Sequence, residues 1–247
     1  MAFPYQLVGV AGTQVLDTYE QLRQQEQGTV VILGNEQALQ QLEDLMAEQA
    51  QVSPQALVSQ AHAVDPEAWL AQAQLEQEAD DEADPREATA AGVSLDDLML
   101  VDTDDAPAPG NEEAEAQPDG ELPSFNAYSD AEGKPYPEVF LAILPTEHSW
   151  QAPCYLKFGG WNTCPPAHVH AAFMRYWGER YGAQVACMTH DVIEMTVARP
   201  PATIAEALEL AQQQYLYCND IVDQGTETLH ALAETLLNAK VWYFWWD

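Results

Sequence analysis

The apolar positions of the first eighty residues recur with a helical period, broken once. Leu16, Tyr19, Leu22 and Arg23 share helical spacing, and Gly28 closes that element. Thr29 to Leu33 is a β-branched run that reads as a buried strand. Gly34-Asn35 turns the chain, and Asn35 can cap a helix with Leu39, Leu42, Leu45 and Met46 on one face. Ser53-Pro54 and Asp65-Pro66 each set a capping side chain before a proline, so two more helices start there. The second carries Trp69, Leu70 and Leu75, then runs into an acidic tail without an apolar face.

From Val139 the pattern becomes dense and mixed. Val139 to Leu144 and Cys154 to Phe158 read as strands. Pro165-Pro166 opens a helix bearing Val169, Phe173, Tyr176 or Trp177, and Arg180, which Gly182 stops. Gln184 to Met188 and Val192 to Val197 form a hairpin through Thr189-His190-Asp191. Thr203 and Glu206 have capping-box spacing, ahead of a helix with Ile204, Ala207, Leu208, Ala211 and Tyr215. Asp223-Gln224-Gly225 turns into a last helix with Leu229, Leu232, Ala233, Leu236 and Leu237. The terminal strand, Val241 to Trp246, is aromatic on both faces, so a cover on each side is expected. The fold class expected is α/β of the α+β kind, a mixed sheet flanked by helices with a long acidic, flexible insertion. Three parts follow: an N-terminal helix-strand-helix part over 1–79, an acidic low-complexity linker or insertion over 80–135, and a C-terminal α/β domain over 136–247.

Charge changes this picture in the middle. The 247 residues carry a formal net charge of -32, with 40 Asp/Glu against 8 Lys/Arg. Residues 61–139 alone hold 22 acids and 2 bases. Residues 80–135 are too polar to offset the entropy of ordering and are expected to be mobile. One apolar island interrupts them, Val93, Leu95, Leu98, Met99, Leu100 and Val101, which reads as a segment that docks on the main domain or as a short linear partner motif. So negative a chain repels nucleic acid and anionic lipid and attracts basic partners. No apolar run approaches the roughly 20 residues of a membrane span, and the N-terminus lacks a signal-peptide pattern, so a cytoplasmic location is expected. Cys154, Cys164, Cys187 and Cys218 form no C-x-x-C pair and read as reduced core residues.

The run Phe158-Gly159-Gly160-Trp161-Asn162-Thr163-Cys164-Pro165 is followed by His170, Tyr176-Trp177, Arg180-Tyr181-Gly182-Ala183, Asp191 and Arg199-Pro200-Pro201. Then come Glu206-Ala207, Asp220 to Gly225 and the terminal Trp245-Trp246-Asp247. Together these motifs resemble the bacterial family called domain of unknown function 4253, over about residues 140–247. The resemblance implies a fold and a residue set, and no activity.

Several residues invite a chemical reading. His168 and His170 with Cys164 and His190 are zinc-ligand types, but residues two apart on a helix diverge, so no metal site and no cofactor is expected. Cys164 with His170 and Asp191 or Asp220 can be drawn as a nucleophile, base and orienter, though no nucleophile-elbow motif surrounds the cysteine. Asp220 with Asp223, and Asp191 with Glu194, are carboxylate pairs suited to acid–base work or to capping turns. Asn162 follows a glycine turn and tolerates left-handed backbone. Phosphate-binding glycine motifs are absent. The preferred expectation is a non-enzymatic acidic binding protein, immunity-protein-like, that masks a basic protein partner such as a toxin or effector. Its contact residues are drawn from Asn162, His170, Asp191, Asp220, Asp223, Trp245 and Trp246. The alternative is a small-ligand-binding protein or hydrolase with a polar site around Asn162, His170, Asp191 and Asp220.

Overall fold

The computed structural model describes residues 3–25, 28–83 and 124–247. The apolar island at 93–101, with most of the acidic segment, lies outside them. Six strands form one mixed sheet: β1 (Gln6–Val10), β2 (Thr29–Gly34), β3 (Val139–Leu144), β4 (Ala183–Met188), β5 (Val192–Val197) and β6 (Val241–Trp245). Their order is β1-β3-β2-β4-β5-β6. The β2–β4 pair is parallel and the other pairs are antiparallel. The N-terminal strand β2 therefore lies between two strands of the C-terminal part, and both parts share one sheet. Every residue of β2 is buried, as an apolar run packed on both faces requires.

The helices are α1 (Val15–Arg23), α2 (Glu36–Glu48), α3 (Pro54–Ala61), α4 (Pro66–Ala83), α5 (Ala152–Leu156), α6 (Ala167–Tyr181), α7 (Ile204–Tyr217) and α8 (Leu229–Leu236). Their starts follow the capping side chains. Asn35 Oδ1 accepts the Ala38 N–H, Ser53 Oγ that of Ala56, and Asp65 Oδ1 those of Glu67 and Ala68. Thr203 and Glu206 make the full capping box of α7. Each cap satisfies an amide that the helix leaves unpaired, worth about 1 kcal/mol.

Alternating residues of the central strands feed two layers. Val31 and Leu33 of β2 join the larger core with α2, α5, α6, α7 and α8. Val30 and Ile32 face the other way, onto Val15 and Tyr19 of α1 and onto Phe125 and Ala127. Residues 124–135, assigned to the linker by their composition, thus include a packed strap: Phe125 is 2% exposed.

Three expectations change. Cys154 to Phe158, expected as a strand, lies in α5 and its C-terminal turn. Pro153 suits a first helical turn, and burial of all five residues of α5 leaves the run no period to read. Lys157 ends it in the left-handed region at φ 53°, where its ammonium donates to the carbonyls of Gln49 and Val52. β1 adds an edge strand that was not among the expected elements. In β6, Trp242 and Phe244 are buried but Tyr243 on the opposite face is 41% exposed. The layer of α1 and the strap packs on β2, β3 and β4, so the second cover expected for β6 is incomplete.

Candidate functional site

The glycine turn builds the first half of the site. Gly159 and Gly160 have φ +91° and +93°, and Asn162 follows at φ 43° in the left-handed region. The Gly160 N–H donates to the carbonyls of Cys164 and Pro165, closing the turn against the start of α6. A Cβ on Gly159 would stand 2.0 Å from the Pro165 carbonyl oxygen and 2.6 Å from His170 Nε2. The absent side chain is what lets His170 reach the turn.

His170 is wholly buried. Its Nδ1 is paired with the Tyr217 hydroxyl, and its Nε2 lies 3.4 Å from Cys164 Sγ. Phe158, Trp246 and Tyr217 meet its ring edge-on, with centroids 4.9, 5.0 and 5.4 Å away. Burial pushes its pKa down to about 3, so the imidazole is neutral. Burial also pushes the Cys164 thiol up. A thiol and a neutral imidazole, both enclosed, bridge structure here; a nucleophilic pair needs a thiolate open to substrate.

The second half of the site is the C-terminus. Asp220 Oδ2 accepts the Asp247 N–H at 3.0 Å, while Oδ1 accepts from Gln224 Nε2. Asn162 Nδ2 donates to the Asp247 carbonyl at 2.9 Å. The Trp246 N–H donates to the Asp191 carbonyl at 3.1 Å, and the Cys218 thiol to the Trp245 carbonyl at 3.0 Å. Trp246 is 1% exposed. Thus Asn162, His170, Asp191, Asp220, Trp245 and Trp246 do converge, around the last residues of the chain. Asp223 stands apart, accepting from the Tyr215 hydroxyl and Asn219 Nδ2 beside a turn of π-helix (Val222–Thr226); burial raises its pKa.

Around Asp191 lies a second feature. A groove of about 280 Å³ opens beyond the carboxyl ends of the parallel strands β2 and β4. Asn35, Asn126, Thr189, His190, Asp191 and Tyr243 line it. Open sheets place ligands at such ends. The spacing of residues singled out Asp191 here and missed Asn126 and Tyr243. The hairpin connector Thr189-His190-Asp191, following a strand, was the available signal. Glu194 is fully buried on β5, where its carboxylate accepts the N–H groups of Asn126 at 2.7 Å and Ala127 at 3.0 Å. It holds the strap down, and burial raises its pKa.

His168 and His170 diverge on α6, one half-buried and one enclosed. Among the described residues no group of three or more His, Cys, Asp or Glu is arranged to hold a metal ion. The four cysteines are free and buried.

These features define an acidic α+β protein whose C-terminus is locked into its own core by the glycine turn and Asp220. Residues 140–247 match the model of the family described as Domain of unknown function (DUF4253), as the motif order implied. The match runs from β3 through β6 and so contains the whole C-terminal lock. No curated protein and no solved structure matches the chain.

Proposed function

We propose that the protein is a non-enzymatic acidic binding protein that masks a basic protein partner, in the manner of an immunity protein facing a toxin or effector. The observation that supports this reading is the large excess of acids over bases, which burial and pairing leave almost unchanged. Among the described residues only Glu194 and Asp220 are buried acids. Several of the described cations are drawn inward or spent on neighbours, while Lys134 and Lys240 stand exposed. Lys157 is buried on the carbonyls of Gln49 and Val52. Arg199 donates to the carbonyls of Glu179 and Arg180 at the end of α6. Arg180 pairs with Glu67 and Arg23 with Glu20. Among the described residues burial removes two acids and one base, and each ion pair cancels one charge of each sign, so the surface keeps the strong negative excess of 40 acids over 8 bases.

Such a field steers a cationic protein into encounter and sets partner choice. The alternative, a small-ligand site or hydrolase around Asn162, His170, Asp191 and Asp220, has to use the side chains of Asn162, His170 and Asp220, which are already engaged around Trp246 and Asp247. Asp191 holds Trp246 through its main-chain carbonyl alone and keeps its carboxylate. Among the described residues no helix is long and apolar enough to cross a membrane.

The test is affinity capture with the full-length protein from extracts of its host, with retained proteins identified by mass and isoelectric point. At low ionic strength the screening length exceeds about 10 Å, and near 1 M salt it is about 3 Å. A basic protein held at low salt and released at high salt is the expected result. Retention of neutral or acidic proteins only, unaffected by salt, overturns the proposal.

A further inference from the structure

The groove at the ends of β2 and β4 offers a carboxylate, amide carbonyls, phenol rings and the His190 imidazole, and among the described residues no lysine or arginine lines it. Asp191 is the carboxylate. Its Oδ1 accepts the Thr189 hydroxyl at 2.8 Å and lies 3.1 Å from His190 Nδ1, which fixes the group, and 27% of its side chain remains accessible. Behind the wall sits a second acidic side chain. Glu194 lies directly opposite Tyr243 across the β5–β6 ladder, so both side chains stand on one face of the sheet. The Glu194 carboxylate is covered by the amides of Asn126 and Ala127, residues that themselves line the groove.

Tyr243 supplies the aromatic surface. Burial, then the charges of Glu194 and Asp191, push its phenol up to about 12. The ring stays neutral and lines the groove, 41% exposed. The positive end of α2 reaches the same rim through Asn35 and Gln37 and acts against a cation. A helix end is equivalent to about half an elementary charge, set here against two carboxylates.

We propose that this groove binds one alkyl-guanidinium group, paired with Asp191 and stacked on Tyr243. A planar guanidinium fits both needs, since it forks onto carboxylates and lies flat on aromatic rings. The group comes either as an arginine side chain of the basic partner, a version resting on the masking function above, or as a free guanidino metabolite.

Calorimetric titration of the full-length protein tests it, with agmatine, N-acetyl-arginine amide and the uncharged N-acetyl-citrulline amide as probes. Agmatine and the arginine amide bind saturably and the citrulline amide does not. Asp191→Asn, which keeps the main-chain carbonyl that holds Trp246, weakens both cations by roughly tenfold, the worth of one charge-assisted pair. Tyr243→Ala, at an exposed position, weakens them too, and Tyr243→Phe restores the binding. An arginine-containing basic decapeptide binding more tightly than agmatine assigns the site to a protein side chain; the reverse order assigns it to a metabolite. Equal binding of arginine and citrulline amides, or cation binding indifferent to both Asp191→Asn and Tyr243→Ala, overturns the inference. If a basic protein is captured but agmatine does not bind, masking stands and this site fails. If agmatine binds and no basic protein is captured, the site stands and masking fails.

Discussion

Asn162 donates its side-chain amide to the carbonyl of Asp247, 85 residues further along the chain. With Asp220 taking the amide of the same residue, the C-terminus is held from two sides. Trp246, packed on Phe158, Tyr217 and Phe244, fills the space beneath. The terminal Trp-Trp-Asp is therefore a structural plug. Removing residues 246 and 247 is expected to cost about 3–5 kcal/mol, the range for losing a buried tryptophan. Asp220→Ala, which leaves the Asp247 amide without its partner, is expected to cost about 1–3 kcal/mol. Urea denaturation of the full chain and the two variants measures both.

The glycine turn offers a controlled comparison. Gly159 and Gly160 share the same backbone region, but a Cβ on Gly160 meets nothing nearer than Gln49 Nε2 at 4.0 Å. Gly160→Ala is expected to cost about 1–2 kcal/mol for its left-handed backbone alone. Gly159→Ala adds the collision with Pro165 and His170 and should cost clearly more. Equal destabilisation of the two variants by urea would show that His170 does not need the turn.

His170 makes the fold acid-sensitive. Its folded pKa, about 3, lies below the ordinary histidine value near 6.5. Between those values the unfolded chain binds the extra proton, so the stability due to neutral His170 is complete above about pH 6.5 and falls as pH drops toward 3. The slope for one proton is about 1.4 kcal/mol per pH unit. The raised carboxyl of Glu194 acts in the opposite sense, because the folded state then holds its proton more tightly. That contribution cancels in the difference between the native chain and His170→Gln. Stability measured from pH 7 to pH 4 is expected to fall more steeply for the native chain than for the variant.

Glu194 is the pin for residues 126 and 127. Glu194→Ala removes two charge-assisted hydrogen bonds at once, each worth about 1.5–3 kcal/mol. The expected result is faster amide hydrogen exchange at Asn126 and Ala127 with exchange in α7 and α8 unchanged. Unchanged protection of both amides would place the strap's hold in Phe125 instead.

Much of this architecture could be read from local pattern. Asn35, Ser53, Asp65, Thr203 and Gly182 mark helix ends by chemistry that acts within four residues, and each end falls where it was expected. The five buried residues of α5 could not be read, since a run packed on every side loses its period. Phe125 was hidden because the surrounding composition masks one anchoring aromatic. The candidate site was legible as a set of residues and illegible as an arrangement. Asn162, His170 and Asp220 meet only through Trp246 and Asp247, and no spacing rule spans that separation. Tyr243 remained hidden for a related reason: alternation tells which strand residues share a face, and only packing tells whether that face is covered.

The central claim is that charge, placed outward as described, recruits a cationic protein. The most direct measurement is the dissociation constant of the full-length protein with the basic protein it captures, determined across a salt series. The account predicts that affinity falls by about a hundredfold or more between low salt and about 1 M, chiefly through slower association. An affinity and an association rate that stay constant over that series would contradict it.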